Sequence, residues 1–295
     1  MVSEEQLGRW TGPSSPTEKE KQDRTERMIR EAIDAHDAFS GVSLAIYAKG
    51  SYANNTNVKA DSDVDIAVEC QEVVYYRDRD PNADHSGVPY TGIWTPQYLR
   101  SEIESALRAK FPGSVDATGS TALRVNSNTA RVDADVVPCF RYVEYFANGR
   151  TREGARVFKN DHTFTENYSK LQLLHGTQKN TRTNHYYKKT VRILKRLENV
   201  LVTAGLAEEM PSYLMECLIY NCPDEYFLRS TWRSVMQGCL ADIYNYTMTA
   251  EPSEESDRWM EVNDVKFLFH SSQKWTREDV HAFASAAWEY MEFDA

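Results

Sequence analysis

A short turn between two apolar segments constrains this chain most. Residues 42–48 (Val-Ser-Leu-Ala-Ile-Tyr-Ala) are typical of a buried strand, which Gly50 ends. A second strand is predicted over residues 64–68, and two aspartates, Asp63 and Asp65, stand at its start. Because side chains alternate along a strand, the two carboxylates are expected on one face of the sheet.

The acidic pair and the turn before it indicate a particular chemistry. Two carboxylates that face the same way repel each other unless a cation lies between them, and such hard oxygen ligands suit Mg²⁺ or Mn²⁺. Gly50 allows the backbone to approach a phosphate group closely, and Ser51 adds a hydroxyl and an N–H donor. These residues predict a site for a metal ion and a phosphate.

A third carboxylate is available further along the chain. Residues 121–125 and 130–137 are predicted to form a hairpin around the turn-prone residues 126–128. Asp133 and Asp135 lie on its second strand and share a face. In a site of this kind, two metal ions about 3.5–4 Å apart would activate an attacking hydroxyl and stabilise the leaving pyrophosphate. The expected reaction is nucleotidyl transfer.

These segments resemble the DNA polymerase β-like nucleotidyltransferases, which carry Gly-Ser, then Asp-x-Asp, then a distal Asp on a strand. The resemblance is closest to the cGAS/DncV-like nucleotidyltransferases (CD-NTases), bacterial synthases of cyclic oligonucleotide second messengers. The matching segments are Lys-Gly-Ser-Tyr at 49–52 with Asp-Ser-Asp-Val-Asp-Ile at 61–66, Asp-Val-Val-Pro at 135–138, and Ile-Leu-Lys-Arg-Leu at 193–197 followed by Pro-Ser-Tyr at 211–213.

The resemblance implies a role for each matched residue. Three carboxylates would be catalytic and would hold two Mg²⁺ (or Mn²⁺) ions: Asp63, Asp65 and Asp135. Five residues would bind the donor nucleotide, four near its triphosphate and a tyrosine stacked on its base: Gly50, Ser51, Lys195, Ser212 and Tyr213.

Two of these assignments have structural alternatives within the sequence. Asp135 is preferred to Asp133 as third carboxylate because it opens the Asp-Val-Val-Pro match, and Asp133 can instead pair with Arg131 or Arg124. Lys195 lies among other basic residues of a predicted helix, and such a run usually forms a solvated face.

The other two helical-segment residues also have structural alternatives. Ser212 follows a proline and precedes an apolar run, which is typical of a helix N-terminus. A tyrosine such as Tyr213 is more often part of a core than a platform for a base in a chain with 17 tyrosines, whereas stacking on a base would contribute ~1–3 kcal/mol.

The pattern predicts an α+β fold with two parts. Residues 1–165 are predicted to form a polymerase β-like palm with a mixed sheet, helices and an N-terminal helix, and residues 166–295 a helical lobe. Helices are predicted over residues 184–204, 212–220, 226–247 and 277–293, and one opens at Thr95-Pro96. Residues 1–16 are expected to be a loose lead-in to a helix capped by Thr17 with Glu20. The active site is expected in the cleft between the two lobes.

Composition restricts the partners. The formal net charge of −10 and the pI of about 5.3 argue against a basic surface for DNA or RNA, although small nucleotides remain compatible. The five cysteines show no Cys-x-x-Cys pair, so we expect reduced thiols and no zinc site. No segment is apolar enough to cross a membrane, and the N-terminal residues lack the features of a signal peptide. A cytoplasmic protein is expected.

The expected function is the joining of ribonucleoside triphosphates into a cyclic oligonucleotide, with release of pyrophosphate. The resemblance further implies bacterial anti-phage (CBASS) signalling, in which the product reaches a downstream effector. One alternative is a nucleotidyltransferase of the same superfamily that modifies a protein, a tRNA or a small molecule. A second is an inactive nucleotide-binding scaffold on the same fold, but clustered carboxylates that repel one another would bring a pure binding protein no benefit.

Overall fold

The structure is a computed structural model that describes residues 2–13, 15–58, 63–80 and 87–293. Asp61 and Ser62 of the first matching segment lie outside the described residues. The chain divides into two compact units. A helical unit contains the described parts of Met1–Ser14, Ala53–Lys59 and Leu171–Ala295, and a sheet unit contains those of Ser15–Tyr52 and Ala60–Lys170. The sequence prediction instead grouped all residues up to 165 with the palm.

A mixed sheet forms the centre of the sheet unit. The order is β1-β2-β5-β4-β3, with β6 paired to β5 and β7 to β6; β2 and β5 are parallel, and the other pairs are antiparallel. Its strands are β1 (Leu44–Lys49), β2 (Val64–Asp78), β3 (Val115–Asp116), β4 (Leu123–Val125), β5 (Ala134–Tyr145), β6 (Thr151–Phe158) and β7 (Phe164–Asn167).

The sheet unit also contains helices α2 (Pro16–Asp34), α3 (Gly50–Ala53, whose last residue groups with the helical unit) and α4 (Pro96–Lys110), and a 3-10 turn at Asp37–Phe39. Helix α4 begins after the cap Thr95, as predicted. The predicted cap of α2 is wrong, because Ser15 and Glu18 form the capping box instead. Pro16 explains the earlier start, since proline suits the first helical position, where no N–H bond is needed.

The two faces of the central strands differ in character. One face is apolar: Val64, Ile66 and Val68 of β2 and Ala134, Val136 and Phe140 of β5 are all buried in one cluster with apolar residues of α2 and α4. Strand alternation sends the intervening residues to the opposite face. The acidic residues therefore stand on the face that α2 and α4 leave uncovered.

Helices make up the other unit: α1 (Glu4–Trp10), α5 (Ser169–Arg182), which starts in the sheet unit, α6 (Tyr187–Thr203), α7 (Ser212–Asn221), α8 (Trp232–Met248) and α9 (Arg277–Tyr290), with 3-10 turns at Asp224–Leu228 and Glu255–Asp257. Helix α1 was predicted as a loose lead-in. It forms because Ser3 caps its N-terminus and Leu7 is fully buried in the helical core.

Two expectations about composition can be compared with the structure. All five cysteines are free and buried. Within the described part of the chain, no helix combines the length and the apolar character that a membrane span requires.

Candidate active site

The parallel pairing of β2 with β5 brings two predicted carboxylates together. Asp65 and Asp135 are register partners on these neighbouring strands. Asp63 directly precedes β2, and its backbone neighbour Val64 donates to the carbonyl of Asp133 at 3.0 Å, which fixes the two strand starts side by side. All four aspartates thus lie at one end of the strand pair, as the alternation predicted.

Like charges dominate the electrostatics of this end. Burial first, and then repulsion from Asp65 and Asp63, raises the pKa of Asp135 above its usual value. Burial, with the charges of Asp133 and Asp65, also raises the pKa of Asp63, although Arg124 opposes the shift. Within the described part of the chain, Asp135 accepts no hydrogen bond and forms no salt bridge. Its carboxylate is available for a ligand.

Asp133 is held differently from Asp135. Its Oδ2 accepts a hydrogen bond from Arg124 Nη2 at 2.7 Å, and its Oδ1 accepts one from the backbone N–H of Ser127. Although burial alone would raise its pKa, these hydrogen bonds lower it below the usual value. The pairing with Arg124 is the alternative that the sequence offered for Asp133, and it supports Asp135 as the third carboxylate.

Gly50 and Lys49 line the same end of the sheet. Gly50 has φ 68°, and a Cβ placed there would lie 2.4 Å from Asp65 Oδ2, so this position requires glycine both for its backbone and for space. Ser51 follows it in α3 and is half-buried. Lys49 is the register partner of Asp65, and its Nζ lies 3.6 Å from Asp65 Oδ1.

The donor set fits a hard divalent cation. Three partly buried carboxylates stand at adjacent strand ends. Burial, and then repulsion from neighbouring carboxylates, raises the pKa of Asp63 and Asp135, and a cation would relieve that repulsion. In the described ranges, no three His, Cys, Asp or Glu side chains already converge as a ligand group.

In the helical unit, Lys195 is not on a solvated face. It is 2% exposed, and its Nζ donates to Thr56 Oγ1 at 3.3 Å. Burial lowers its pKa to about 8, although the carboxylate of Glu216 opposes the shift. Glu216 is also buried and accepts hydrogen bonds from Asn54, from Thr56 at 3.0 Å and from Gln172 at 3.2 Å. Together these residues form a buried polar network.

The remaining two candidates begin α7. Ser212 is exposed at its first position, as expected of a helix N-terminus, where free N–H groups can meet an anion. Tyr213 is half-buried against the helical core, and its hydroxyl donates to Glu261 Oε2 at 3.1 Å. Tyr213 thus packs partly against the core, as its structural alternative expected.

Sequence reasoning missed the partners that hold these residues. Glu216 and Glu261 are charged residues in otherwise apolar or irregular segments, and their burial depends on contacts far away in the sequence. Only the position of Glu216 inside an apolar helix (Tyr-Leu-Met-Glu-Cys-Leu-Ile) was a signal that this carboxylate is buried.

Comparison with known proteins identifies relatives of this chain. Residues 174–292 match the model of the cGAS/DncV-like nucleotidyltransferase C-terminal helical domain. The chain is 34% identical over 302 aligned residues to a cyclic dipyrimidine nucleotide synthase CdnE of Legionella pneumophila, covering 98% of each protein. It is 30% identical to a cyclic dipurine nucleotide synthase of Elizabethkingia meningoseptica, again covering 98% of each.

The fold comparison gives the same result. The structure of the Rhodothermus marinus CdnE c-UMP-AMP synthase with Apcpp and Upnpp superposes with a TM-score of 0.85 at 26% identity, covering 100% of this chain and 98% of that one. The chain belongs to the cGAS/DncV-like nucleotidyltransferases and has their polymerase β-like fold. It is a nucleotidyltransferase of the cyclic oligonucleotide synthase class, which confirms the predicted family, fold class and activity.

Proposed function

We propose that this chain joins two ribonucleoside triphosphates into a cyclic dinucleotide at a site formed by Asp63, Asp65 and Asp135. The observation that carries the proposal is the register pairing of Asp65 with Asp135, which places two carboxylates side by side on parallel strands. Full-length relatives support the product class, since their names describe dipyrimidine and dipurine synthases. Because the bases differ among them, the base choice of this chain is a matter for experiment.

The proposed cofactor is a pair of Mg²⁺ or Mn²⁺ ions held by the three carboxylates. When bound, such ions would neutralise triphosphate charge and lower the pKa of the attacking hydroxyl. The ribose hydroxyl of the acceptor forms a bond to the α-phosphorus of the donor, and the bond to pyrophosphate breaks. A second, equivalent transfer within the linear intermediate closes the ring and releases a second pyrophosphate.

The chain's own residues orient the donor. Gly50, with its left-handed backbone and no side chain, leaves room for the Asp65 carboxylate beside it, and Ser51 is proposed to contribute donors to a phosphate at the start of α3. Ser212 is proposed to contact the triphosphate at the N-terminus of α7, and Tyr213 to stack on the base. The Glu261 contact leaves the Tyr213 hydroxyl fixed, which orients the ring.

Lys195 is also proposed to help bind the donor nucleotide, but its buried environment restricts what it can contact. A lysine that is 2% exposed and hydrogen-bonded to Thr56 is already engaged within the protein. Its proposed role is therefore to hold the segment around Thr56 in position, together with any contact to the triphosphate.

Incubation with nucleotides tests the proposal. The purified protein is mixed with all four labelled ribonucleoside triphosphates and Mg²⁺ or Mn²⁺, treated with phosphatase and analysed by mass spectrometry. A phosphatase-resistant cyclic dinucleotide is expected, and the double variant D63N/D65N should lack it. Linear products, or label transferred to protein, would instead favour a transferase with a different acceptor. Formation of the cyclic product by the double variant would refute the site.

We further propose that the product is a second messenger for a downstream effector in anti-phage signalling. This role rests on the family alone. Exposure of cells that carry the gene to phage, followed by measurement of the cyclic product, tests it, since a signalling enzyme raises its product on infection.

A further inference from the structure

Arg124 occupies an unusual place beside the carboxylate site. It lies on β4 between Leu123 and Val125, whose side chains are fully buried on the apolar face of the sheet. Alternation therefore sends the guanidinium to the acidic face. The antiparallel register places Arg124 directly opposite Asp135 on β5.

The guanidinium is shared between two carboxylates. Its Nη2 lies 2.7 Å from Asp133 Oδ2, a strong charge-assisted hydrogen bond, whereas its Nη1 lies 3.6 Å from Asp63 Oδ2, a looser ion pair. Asp133 is itself tied to the backbone N–H of Ser127. Asp133 thus acts as an anchor that draws Arg124 away from Asp63.

We propose that Arg124 is an internal counter-cation that competes with the metal ions for Asp63, and that Asp133 sets the strength of this competition. The inference rests on the proposed metal site at Asp63, Asp65 and Asp135. The looseness of the contact with Asp63 allows a divalent cation to displace it, while the tight bond to Asp133 keeps the guanidinium at the edge of the site. Arg124 and Asp133 are then positioning residues that adjust metal affinity.

Two substitutions should change metal affinity in opposite directions. R124Q removes the competing charge, so Mn²⁺ should bind about 1.4- to 5-fold more tightly, the range expected of partly exposed ion pairs. D133N removes the anchor's charge, so Arg124 turns towards Asp63 and Mn²⁺ binds more weakly. Because D133N acts mainly through Arg124, its effect should be clearly smaller in the R124Q background, where only the direct loss of one negative charge near Asp63 remains. Both effects should shrink as salt is added.

The experiment measures Mn²⁺ binding to the full chain by electron paramagnetic resonance of the free ion, without nucleotide and at low ionic strength. Thermal melting of each variant without metal checks folding. R108Q and E153Q serve as matched controls, since each removes one partner of an ion pair elsewhere in the sheet unit. R124K, which keeps the charge without the planar fork, should bind Mn²⁺ with an affinity between those of wild type and R124Q.

The outcomes separate the inference from the proposed function. Tighter binding by R124Q, weaker binding by D133N and wild-type affinity in both controls would support the inference. Unchanged or weaker binding by R124Q, or a D133N effect as large in R124Q as in the wild type, would overturn it while leaving the metal site intact. Failure of the wild type to bind Mn²⁺, or undiminished binding by D63N/D65N, would overturn the metal site and the inference with it.

Discussion

Replacement of Lys195 by methionine should stabilise the protein at neutral pH. Burial lowers the pKa of Lys195 from its ordinary 10.5 to about 8. Since each pKa unit corresponds to 1.36 kcal/mol, keeping this lysine charged at pH 7 costs the folded state about 3 kcal/mol. Methionine has a similar length and carries no charge, so it removes that cost. Loss of the hydrogen bond to Thr56 destabilises the variant by about 1 kcal/mol, so the net gain in stability is about 2 kcal/mol.

The dependence on pH identifies the cause. Between pH 8 and 10.5 the unfolded chain holds a proton on Lys195 that the folded chain has released, so wild-type stability rises with pH relative to K195M. From pH 7 to pH 9 this relative gain should be about 1.3 kcal/mol. Burial raises the pKa of several tyrosines, among them Tyr52 and Tyr220, and these titrations cancel in the comparison of the two proteins.

Urea unfolding followed by circular dichroism at pH 7 and pH 9 measures these differences. K110M is the matched control, because Lys110 is a more exposed lysine paired with Glu31 at 3.0 Å. A K195M protein that is less stable than wild type at pH 7, with a difference that stays the same at pH 9, would refute the reasoning. That result would mean that the Lys195 charge is fully compensated in the folded state.

Three further predictions concern other charged or confined positions. The double variant D63N/D65N should melt at a higher temperature than wild type without metal while losing turnover. Burial, and then repulsion among the carboxylates, raises the pKa of Asp63 and Asp135, and the variant removes two of the buried, repelling charges; an unchanged or lower melting temperature would contradict this. G50A should lose roughly tenfold or more in kcat, because its Cβ would displace the Asp65 carboxylate, and steady-state kinetics with a wild-type rate would contradict it. E216A should lose about 3–5 kcal/mol in urea unfolding, because it leaves buried polar donors and the Lys195 charge without their partner, and a loss below 1 kcal/mol would exclude that account.

The local sequence pattern was enough to predict the arrangement of the strands at the acidic end of the sheet. Strand alternation predicted Asp63 and Asp65 on one face, and the turn-prone residues 126–128 predicted the hairpin that carries Asp135. Strands β4 and β5 pair antiparallel, as expected of that hairpin. The Asp-Val-Val-Pro match favoured Asp135 over Asp133 from the sequence alone, and this choice stays a prediction. The hydrogen bond from Arg124 to Asp133 supports it, but that contact depends on the register of β4 against β5, which local pattern does not give.

The helical residues show where local pattern fails. Lys195 lies in a run of basic residues that suggested solvent exposure, yet it is buried because Glu216 of α7 and Thr56, distant in sequence, provide its polar partners. Helix α1 was missed because it is short and polar and buries only Leu7. Both errors arise from tertiary contacts that outweigh local preference.

The paired variants D135N and D133N test the central claim most directly. Asp135 lies in β5 and Asp133 directly precedes that strand, so each variant removes one charge from the acidic end of the sheet. Each is incubated with ribonucleoside triphosphates at saturating Mn²⁺ before product analysis by mass spectrometry. If Asp63, Asp65 and Asp135 carry the reaction, D135N yields no cyclic product and D133N yields it at close to the wild-type rate. Cyclic product from D135N, with loss in D133N, would show that the catalytic carboxylate had been assigned to the wrong residue.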